Sequence, residues 1–368
     1  MTLAYPNPVF TGAQAEGLDG ITAAATILSE VDGEGGRLVL RGKPIEELAG
    51  HLTYEEAASF FWADILRVPR GAELSARFAE ARATAARALP VLQAASPKLG
   101  TYELMRLGLS ALASEGANED PVVLCGSLPV FLAAGWRISQ GLAPVMPDLS
   151  LRASQDMLRM LTRKEPDARA AAAIDRYLVT ILDHGFNAST FTARVIASTG
   201  ADMASAIIGA MGALKGPLHG GAPGPVLDML DAIGTSDRAE RWIERALKDG
   251  KRLMGFGHRI YRTRDPRADV LKAGLAELPS NAGRLVLAQG VERAALAALE
   301  QHKPDRPLQT NVEYYTAVML EAAGMDRSLF TPLFAMGRAT GWCGHVAEQR
   351  ATGRLIRPAS RYVGPVAA

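Results

Sequence analysis

The densest group of chemically capable side chains in this 368-residue chain is Gly255-Phe256-Gly257-His258-Arg259-Ile260-Tyr261-Arg262-Thr263-Arg264-Asp265-Pro266-Arg267. Its two glycines permit positive φ and close approach of backbone to a ligand. A histidine follows them, and four arginines fall within nine residues. Asp265-Pro266 reads as a helix N-cap followed by proline at the first helical position, which places Arg267 in the first turn. The helix dipole favours negative charge there. A cation beside free backbone N–H groups is explained by an anion gripped by both. The competing reading is a solvated basic loop between two helices.

Four other stretches carry side chains suited to chemistry. Asp183-His184-Gly185 reads as the end of a helix over 167–184, with glycine as the terminating residue and Asn187 capping the next helix. A helix C-terminus stabilises positive charge, so the His184 pKa is expected to rise, and a histidine doing only that is the alternative. His219 lies in Lys215-Gly216-Pro217-Leu218-His219-Gly220-Gly221, a glycine-rich corner ahead of a helix N-terminus. Such a position favours a neutral imidazole that can donate to a carbonyl oxygen gaining charge; simple packing in the turn is the other reading. Thr310-Asn311-Val312-Glu313 opens a helix. Its carboxylate can act as a general base, yet Thr310-x-x-Glu313 is equally a capping-box pattern. In Gly337-Arg338-Ala339-Thr340-Gly341-Trp342 a cation sits among small and apolar residues, with Arg338, Gly341 and His345 on one helix face. That arginine needs an anionic partner, either a structural carboxylate or a ligand. Arg354 and Arg357 follow in a polar tail, where arginines are normally solvated.

The elements that must position these groups are almost all helical. A short hairpin is expected from Ala25 to Glu30 and Arg37 to Leu40 across a glycine-rich turn. Runs rich in Ala, Leu, Arg and Glu then predict helices near 53–66, 73–93, 101–115, 120–140, 150–162, 167–184, 188–199, 202–214, 224–233, 237–249, 266–278, 284–301, 312–323 and 328–351. The stretch from about Gly220 to Gly324 has more charged helices bracketed by glycine turns, as a smaller inserted domain would. Clefts between domains favour ligands.

Composition narrows the classes. Net charge is +1, so no global field recruits nucleic acid or an anionic membrane, and any anion binding is local. Cys125 and Cys343 are too few for a disulfide framework or metal cluster and read as buried small hydrophobes in a reducing compartment. The histidines show no metal-ligand spacing, so no metal is expected. No apolar run reads as spanning a bilayer and no signal peptide is seen, giving a cytoplasmic expectation.

Taken together, the stretches Asp183-His184-Gly185-Phe186-Asn187-Ala188-Ser189-Thr190, Gly216 to Gly221, Gly255 to Arg267, and Gly337-Arg338 through Gly341-Trp342 resemble the citrate synthase family, in the family's order, over about Gly17 to Gly364. The resemblance implies an all-α fold: a large helical domain (1–219 and 325–368), an inserted small helical domain (220–324), and one short N-terminal β-hairpin. It implies a homodimer that condenses acetyl-CoA with oxaloacetate and needs no cofactor beyond the coenzyme A thioester it consumes. His219, His258 and Glu313 match the catalytic positions. His184, Arg267 and Arg338 match residues that hold oxaloacetate, and Arg357 one that reaches into the partner's site. Leu253, Met254, Gly255, Phe256 and Gly257 look like the adenine loop, while Arg259, Arg262 and Asn311 match the rest of the coenzyme A site. The chain resembles the shorter bacterial form, for which control by NADH is not expected.

Two departures stand out. Glu313 occupies a position where most relatives carry aspartate, as in a divergent second-citrate-synthase branch. Ala222-Pro223-Gly224-Pro225 replaces the usual Ala-Asn-Glu after the histidine, removing polar groups that orient an imidazole. Alongside citrate synthesis, the alternatives are 2-methylcitrate synthesis from propionyl-CoA and a catalytically impaired paralogue that binds coenzyme A or a diacid.

Overall fold

The computed structural model describes Leu18, residues 21–96, 98–220, 223–258, 260–278, 282–304, 308–360 and Tyr362. Among these residues the chain forms a small antiparallel sheet, β1 (Ser29–Asp32), β2 (Arg37–Leu40) and β3 (Lys43–Pro44), and then fifteen α-helices. They are α1 (Tyr54–Trp62), α2 (Gly71–Ala85), α3 (Leu89–Ala94), α4 (Thr101–Leu112), α5 (Pro121–Ser139), α6 (Ala153–Thr162), α7 (Ala168–Thr180), α8 (Ala188–Ser198), α9 (Met203–Leu214), α10 (Pro223–Ile233), α11 (Ala239–Lys248), α12 (Pro266–Leu275), α13 (Ala282–His302), α14 (Val312–Ala322) and α15 (Phe330–Thr352). The fold is all-α, as expected.

Several boundaries differ from the sequence expectation by a few residues, as where α1 ends at Trp62 rather than 66, and three of the differences have a local reason. The first strand starts at Ser29 rather than Ala25, because the Ile27 N–H goes to a Glu348 carboxylate oxygen at 2.8 Å and Leu28 enters the core. β2 then gains a third strand, two residues long, that was not anticipated. The expected helix 73–93 is broken by a 3₁₀ turn at Ala86–Ala88, since Pro90 lacks an N–H and its ring crowds the carbonyl four residues earlier. The helix expected to reach His184 stops at Thr180, leaving His184 in the connection to α8.

The core is built around two long apolar helices. α5 packs against α2, α4 and α6, and α15 against α1, α4, α5, α7, α8 and α9. α5 is long and apolar enough by composition to cross a bilayer, which corrects the sequence reading, but 78% of it is buried among its neighbours. Trp62 and Phe78 stack at 6.0 Å, Tyr54 meets Phe78 edge-on, and all three are fully buried. Side chains of this size contribute on the order of 2–3 kcal/mol each through burial. Cys125 and Cys343 are fully buried, as expected, and lie on these two helices with their sulfurs 3.6 Å apart.

The second set of helices packs mainly within itself: α12 on α14, α10 on α14 and α11 on α13, with α12 and α14 also touching α7. Arg176 of α7 crosses to α12, donating to the Val270 carbonyl at 3.3 Å and pairing with Glu277, just past the helix end, at 2.6 Å. The β1–β2 turn meets the loop before α12, where Arg262 N–H donates to the Gly33 carbonyl at 2.8 Å.

Two glycines in α15 let the connection that carries His184 lie directly on the helix. A Cβ at Gly337 would stand 2.4 Å from Ile181 Cδ1, and one at Gly341 would stand 2.3 Å from the Leu182 carbonyl oxygen and 2.9 Å from Asp183 Oδ1. Gly341→Ala is therefore expected to destabilise the chain by about 1–3 kcal/mol through overpacking and to displace His184. Thermal unfolding and turnover measured together check this; an unchanged Tm and rate would contradict it.

Candidate active site

The glycines of Gly255-Phe256-Gly257 are needed for two separate reasons. Their φ values are +84° and +83°, and a Cβ on Gly255 would fall 2.7 Å from the Tyr314 ring. This lets the loop pair with the approach to α14: Gly257 N–H donates to Gln309 O at 2.8 Å and Asn311 N–H to Gly255 O at 2.9 Å. The Asn311 side chain adds a bond to Gly257 O at 2.8 Å. His258 is thereby set beside the N-terminus of the helix that carries Glu313.

The capping-box reading of Thr310 and Glu313 does not hold. Asn311 is the cap, accepting from Glu313 N–H at 3.0 Å, while the Thr310 hydroxyl donates to Glu292 at 2.8 Å. The half-buried Glu313 carboxylate accepts no hydrogen bond among the described residues. Burial pushes its pKa up, assisted by Asp265 and opposed by Arg267 and Arg252. A partly desolvated, unengaged carboxylate of raised pKa is what a general base near neutral pH requires.

Asp265 and Pro266 start α12 as read from sequence, with Arg267 in its first turn. Arg267 is 4% exposed and pairs with Asp265 through Nε and Nη2, both at 2.9 Å. Burial alone would depress its pKa, but Asp265 more than offsets this and raises it. Arg267 Nη2 also lies 3.2 Å from His258 Nε2. The other ring nitrogen, Nδ1, accepts from Ile260 N–H at 3.0 Å and Tyr261 N–H at 3.1 Å, so the proton of the neutral ring is on Nε2. Two donors this close repel unless an acceptor lies between them. An oxygen atom of a bound anion or carbonyl group meets that requirement.

His184 is 6% exposed, with its ring 5.5 Å from that of His258 and its Nε2 3.1 Å from the Tyr261 hydroxyl. The sequence expectation of a raised pKa is reversed. α7 ends four residues earlier, so its dipole does not act at the ring. Burial drives the pKa well below its ordinary value, with Arg267, His258 and Arg338 adding to the effect. The preceding Asp183 anchors this connection, accepting from the Ser29 hydroxyl and from Gly185 N–H and facing His345 Nε2 at 3.2 Å.

Arg338 stands apart from the other buried arginines. Arg82, Arg194 and Arg267 each have a carboxylate partner, and Arg137 donates to two backbone carbonyls. Arg338, 1% exposed, makes one hydrogen bond, from Nε to Ile181 O at 2.6 Å, and packs over Phe334 at 4.9 Å. Its pKa is pushed down to about 10 by burial, against the pull of nearby Asp183. Among the described residues no carboxylate pairs with it, so of the two partners expected from sequence the structural one is not seen there.

His219 lies across Phe334 from Arg338, at 6.1 Å ring to ring. Its Nε2 is 2.8 Å from the Ser189 hydroxyl and accepts from Ser189 N–H at 3.4 Å, and Trp342 Nε1–H donates to the same hydroxyl at 3.2 Å. An accepting Nε2 puts the proton on Nδ1, which is then the donating nitrogen. Orientation lost with the Ala222-Pro223-Gly224-Pro225 departure is thus supplied by α8. Burial and the Arg338 charge lower the His219 pKa to about 4; burial and Arg267 do the same for His258, also to about 4.

These contacts bring His184, His219, His258, Arg267, Glu313 and Arg338 into one electrostatic unit. The Arg338 charge acts on His184 and His219 and is felt with Arg267, which in turn acts on Glu313. Leu253, Met254, Gly255, Phe256, Gly257 and Asn311 form its adjoining loop. Arg262 is exposed and joins it only through backbone, and Arg259 lies outside the described residues. Arg357 is in the exposed tail, lining a cavity of about 560 Å³ between the two ends of the chain, away from the imidazoles. Tyr261 and Ser189, which fix two of the imidazoles, were within the stretches singled out from sequence but had no assigned part; their signal was position alone.

Linkage gives a pH prediction. Native His219 and His258 stay neutral to about pH 4, whereas unfolded histidines take up protons near 6.5. The unfolded state therefore binds more protons in this window, and these two groups withdraw stability as pH falls from about 6.5 towards 4. Gln variants at 219 or 258 are expected to lose less stability over that range than wild type in denaturant unfolding. Equal losses would contradict the neutral assignment.

Comparison with known proteins places this geometry. A family model described as citrate synthase, C-terminal domain, matches residues 17–359. The chain is 37% identical over 372 residues to a citrate synthase of Haloferax volcanii, covering 96% of this chain and 97% of the relative. It is 33% identical over 362 residues to a 2-methylcitrate synthase of Mycobacterium tuberculosis, covering 95% and 90%. The crystal structure of the citrate synthase from Thermotoga maritima superposes with a TM-score of 0.85 at 35% identity, covering 97% of each chain. A ternary complex of the Thermoplasma acidophilum enzyme with carboxymethyl coenzyme A and oxaloacetate does so at 0.84 and 26% identity, covering 97% and 98%. The chain belongs to the citrate synthase family, enzymes of the acyltransferase type that condense an acyl-CoA with oxaloacetate.

Proposed function

We propose that the acyl donor is acetyl-CoA and that the product is citrate. The observation that carries the reading is a buried guanidinium, Arg338, that has no carboxylate partner among the described residues, grouped with neutral imidazoles that present N–H donors and with the Glu313 carboxylate, which accepts no hydrogen bond among them. In this reading Glu313 takes a proton from the thioester methyl while His219 Nδ1–H donates to the thioester oxygen, so that the carbanion forms as an enol. The enol carbon attacks the keto carbon of oxaloacetate. Its carboxylates are clamped by Arg267 and Arg338 beside His184, and its keto oxygen accepts from His258 Nε2–H. The new C–C bond yields citryl-CoA; water then attacks the thioester carbonyl, releasing citrate and the coenzyme A thiol. Leu253 to Gly257 with Asn311 would hold the coenzyme, together with Arg262 and Arg259.

The same reading makes residues 220–324 a small domain that closes on the rest. It is supported by the way α10 to α14 pack mainly on one another. It makes the protein a homodimer in which Arg357 completes the neighbouring site. The support there is the exposure of Leu18, Ile21 and Leu355 beside Arg357 where the chain ends meet.

Propionyl-CoA is the competing donor, favoured by the similarity to a 2-methylcitrate synthase. Phe334 packs against both His219 and Arg338 and, in this reading, borders the acyl group, which suits the smaller donor. One methylene in an apolar pocket is worth about 1–3 kcal/mol, so kcat/KM is expected to favour acetyl-CoA by about tenfold or more. Parallel assays with both thioesters test this, and an equal or reversed ratio would transfer the assignment to 2-methylcitrate synthesis.

A further inference from the structure

Asp265 does far more than cap a helix. Its Oδ1 accepts from Arg267 N–H at 3.1 Å and from Arg267 Nε at 2.9 Å; its Oδ2 accepts from Arg267 Nη2 and from Val312 N–H, both at 2.9 Å. The carboxylate is buried, at 2% exposure. An N-cap role for α12 needs only the first of these four bonds. The second and third fix the guanidinium plane of Arg267, leaving Nη1 and one edge of Nη2 for other partners. The fourth comes from the first residue of α14, a helix whose own cap is already supplied by Asn311. One side chain therefore joins the start of α12, the Arg267 fork and the start of α14.

We propose that Asp265 is a positioning residue for the condensation, locking the arginine that meets the keto diacid and the helix that carries the base into one rigid unit. The proposal rests on the reading of Glu313 as base and Arg267 as clamp. Its physical content is geometric: the proton acceptor and the electrophile must arrive at a fixed separation, and a shift on the order of 1 Å costs about a hundredfold in rate. A single buried carboxylate that bonds to both elements removes the freedom of one to move against the other. Charge matters as well. Glu313 is faced by Arg267 from α12, by Asp265 from its cap and by Arg252 from the segment before Gly255, and Asp265 is the negative member of that set. It opposes ionisation of Glu313 and so adds to the upward shift that burial gives the base.

Two variants separate the functions. Asp265→Asn keeps the size but withdraws the charge and an acceptor. Val312→Pro removes the N–H that Asp265 receives from α14 and keeps an apolar side chain against the core, at a first helical position where proline is tolerated and after an extended Asn311 that suits it. Each is assayed as full-length enzyme for kcat, KM for oxaloacetate, and kcat/KM for acetyl-CoA against pH. Glu313→Gln serves as the reference. For Asp265→Asn the expected result is a KM for oxaloacetate raised about tenfold or more, kcat lowered about a hundredfold, and an acid limb moved to lower pH. For Val312→Pro, kcat falls about tenfold with KM for oxaloacetate within about twofold of wild type. Asp265→Asn with unchanged KM and acid limb would overturn the proposal even if its Tm dropped, and so would Val312→Pro with wild-type kcat. If Asp265→Asn does not fold, Val312→Pro decides alone. A wild-type rate in Glu313→Gln would instead remove the base assignment, leaving the oxaloacetate KM of Asp265→Asn as the independent measure of its hold on Arg267.

Discussion

Glu313→Gln is expected to lower kcat by about 10³-fold while leaving KM for oxaloacetate within a factor of about three. Removing a positioned general base costs about 10²–10⁴ in rate, and glutamine keeps the volume of the side chain without its basicity. The fold supports a clean result. Glu313 accepts no hydrogen bond that the substitution would break, and the α14 cap is made by Asn311 and Asp265 instead. Stability should therefore change little, and what change there is should favour the variant, because the ionised carboxylate is half-buried with a raised pKa. Glu313→Asp would separate reach from basicity. It keeps the carboxylate but retracts it by one methylene, and since the helix start that bears it is tied to the Gly255–Gly257 loop, the backbone cannot follow. A loss of about a hundredfold is expected. Steady-state thiol release measures both variants, and wild-type turnover in Glu313→Gln would return the residue to a structural part.

Arg338→Met should move activity and stability in opposite directions. Among the described residues the buried guanidinium has a single hydrogen bond and no carboxylate partner. Burial pushes its pKa down from the ordinary guanidinium range to about 10. At about 1.4 kcal/mol per tenfold, the charged form costs roughly 3 kcal/mol in the unliganded protein. Methionine of similar length fills the space without that cost, although it loses the contact with Phe334 and the bond to Ile181. A net gain of about 1–2 kcal/mol, seen as a higher Tm without ligand, is expected. KM for oxaloacetate should rise by about 10²-fold or more, since a charge-assisted clamp on a carboxylate is gone. Oxaloacetate should stabilise the wild type strongly and this variant hardly at all. A lower Tm together with an unaltered KM would mean that Arg338 is a structural cation.

Much of this was legible in the sequence because the relevant signals are local. The Asp265-Pro266 helix start, the small residues around Arg338 and the glycines before His258 all report on immediate geometry, and the structure keeps each of them. What the sequence misjudged depends on partners far along the chain. The pKa of His184 was read from a helix terminus, but the ring is buried, with Arg267, His258 and Arg338 adding to the downward shift, and α7 ends short of it. The Thr310-x-x-Glu313 pattern matched a capping box, yet Glu292 of α13 takes the Thr310 hydroxyl and frees the carboxylate. Ser189 was within a quoted stretch, but nothing local links it to His219, thirty residues away. Asp265 was legible as a cap and illegible as a link, because its fourth donor, Val312, is forty-seven residues on.

The central claim is that these imidazoles, arginines and one carboxylate act together on a thioester and a keto diacid. The most direct test is release of free coenzyme A thiol from acetyl-CoA by the purified enzyme, with and without oxaloacetate. The account predicts rapid release that depends on oxaloacetate, is accompanied by stoichiometric citrate, and is abolished in Glu313→Gln. Tight binding of both ligands with no thiol released would contradict it and leave a binding protein built on an enzyme's frame.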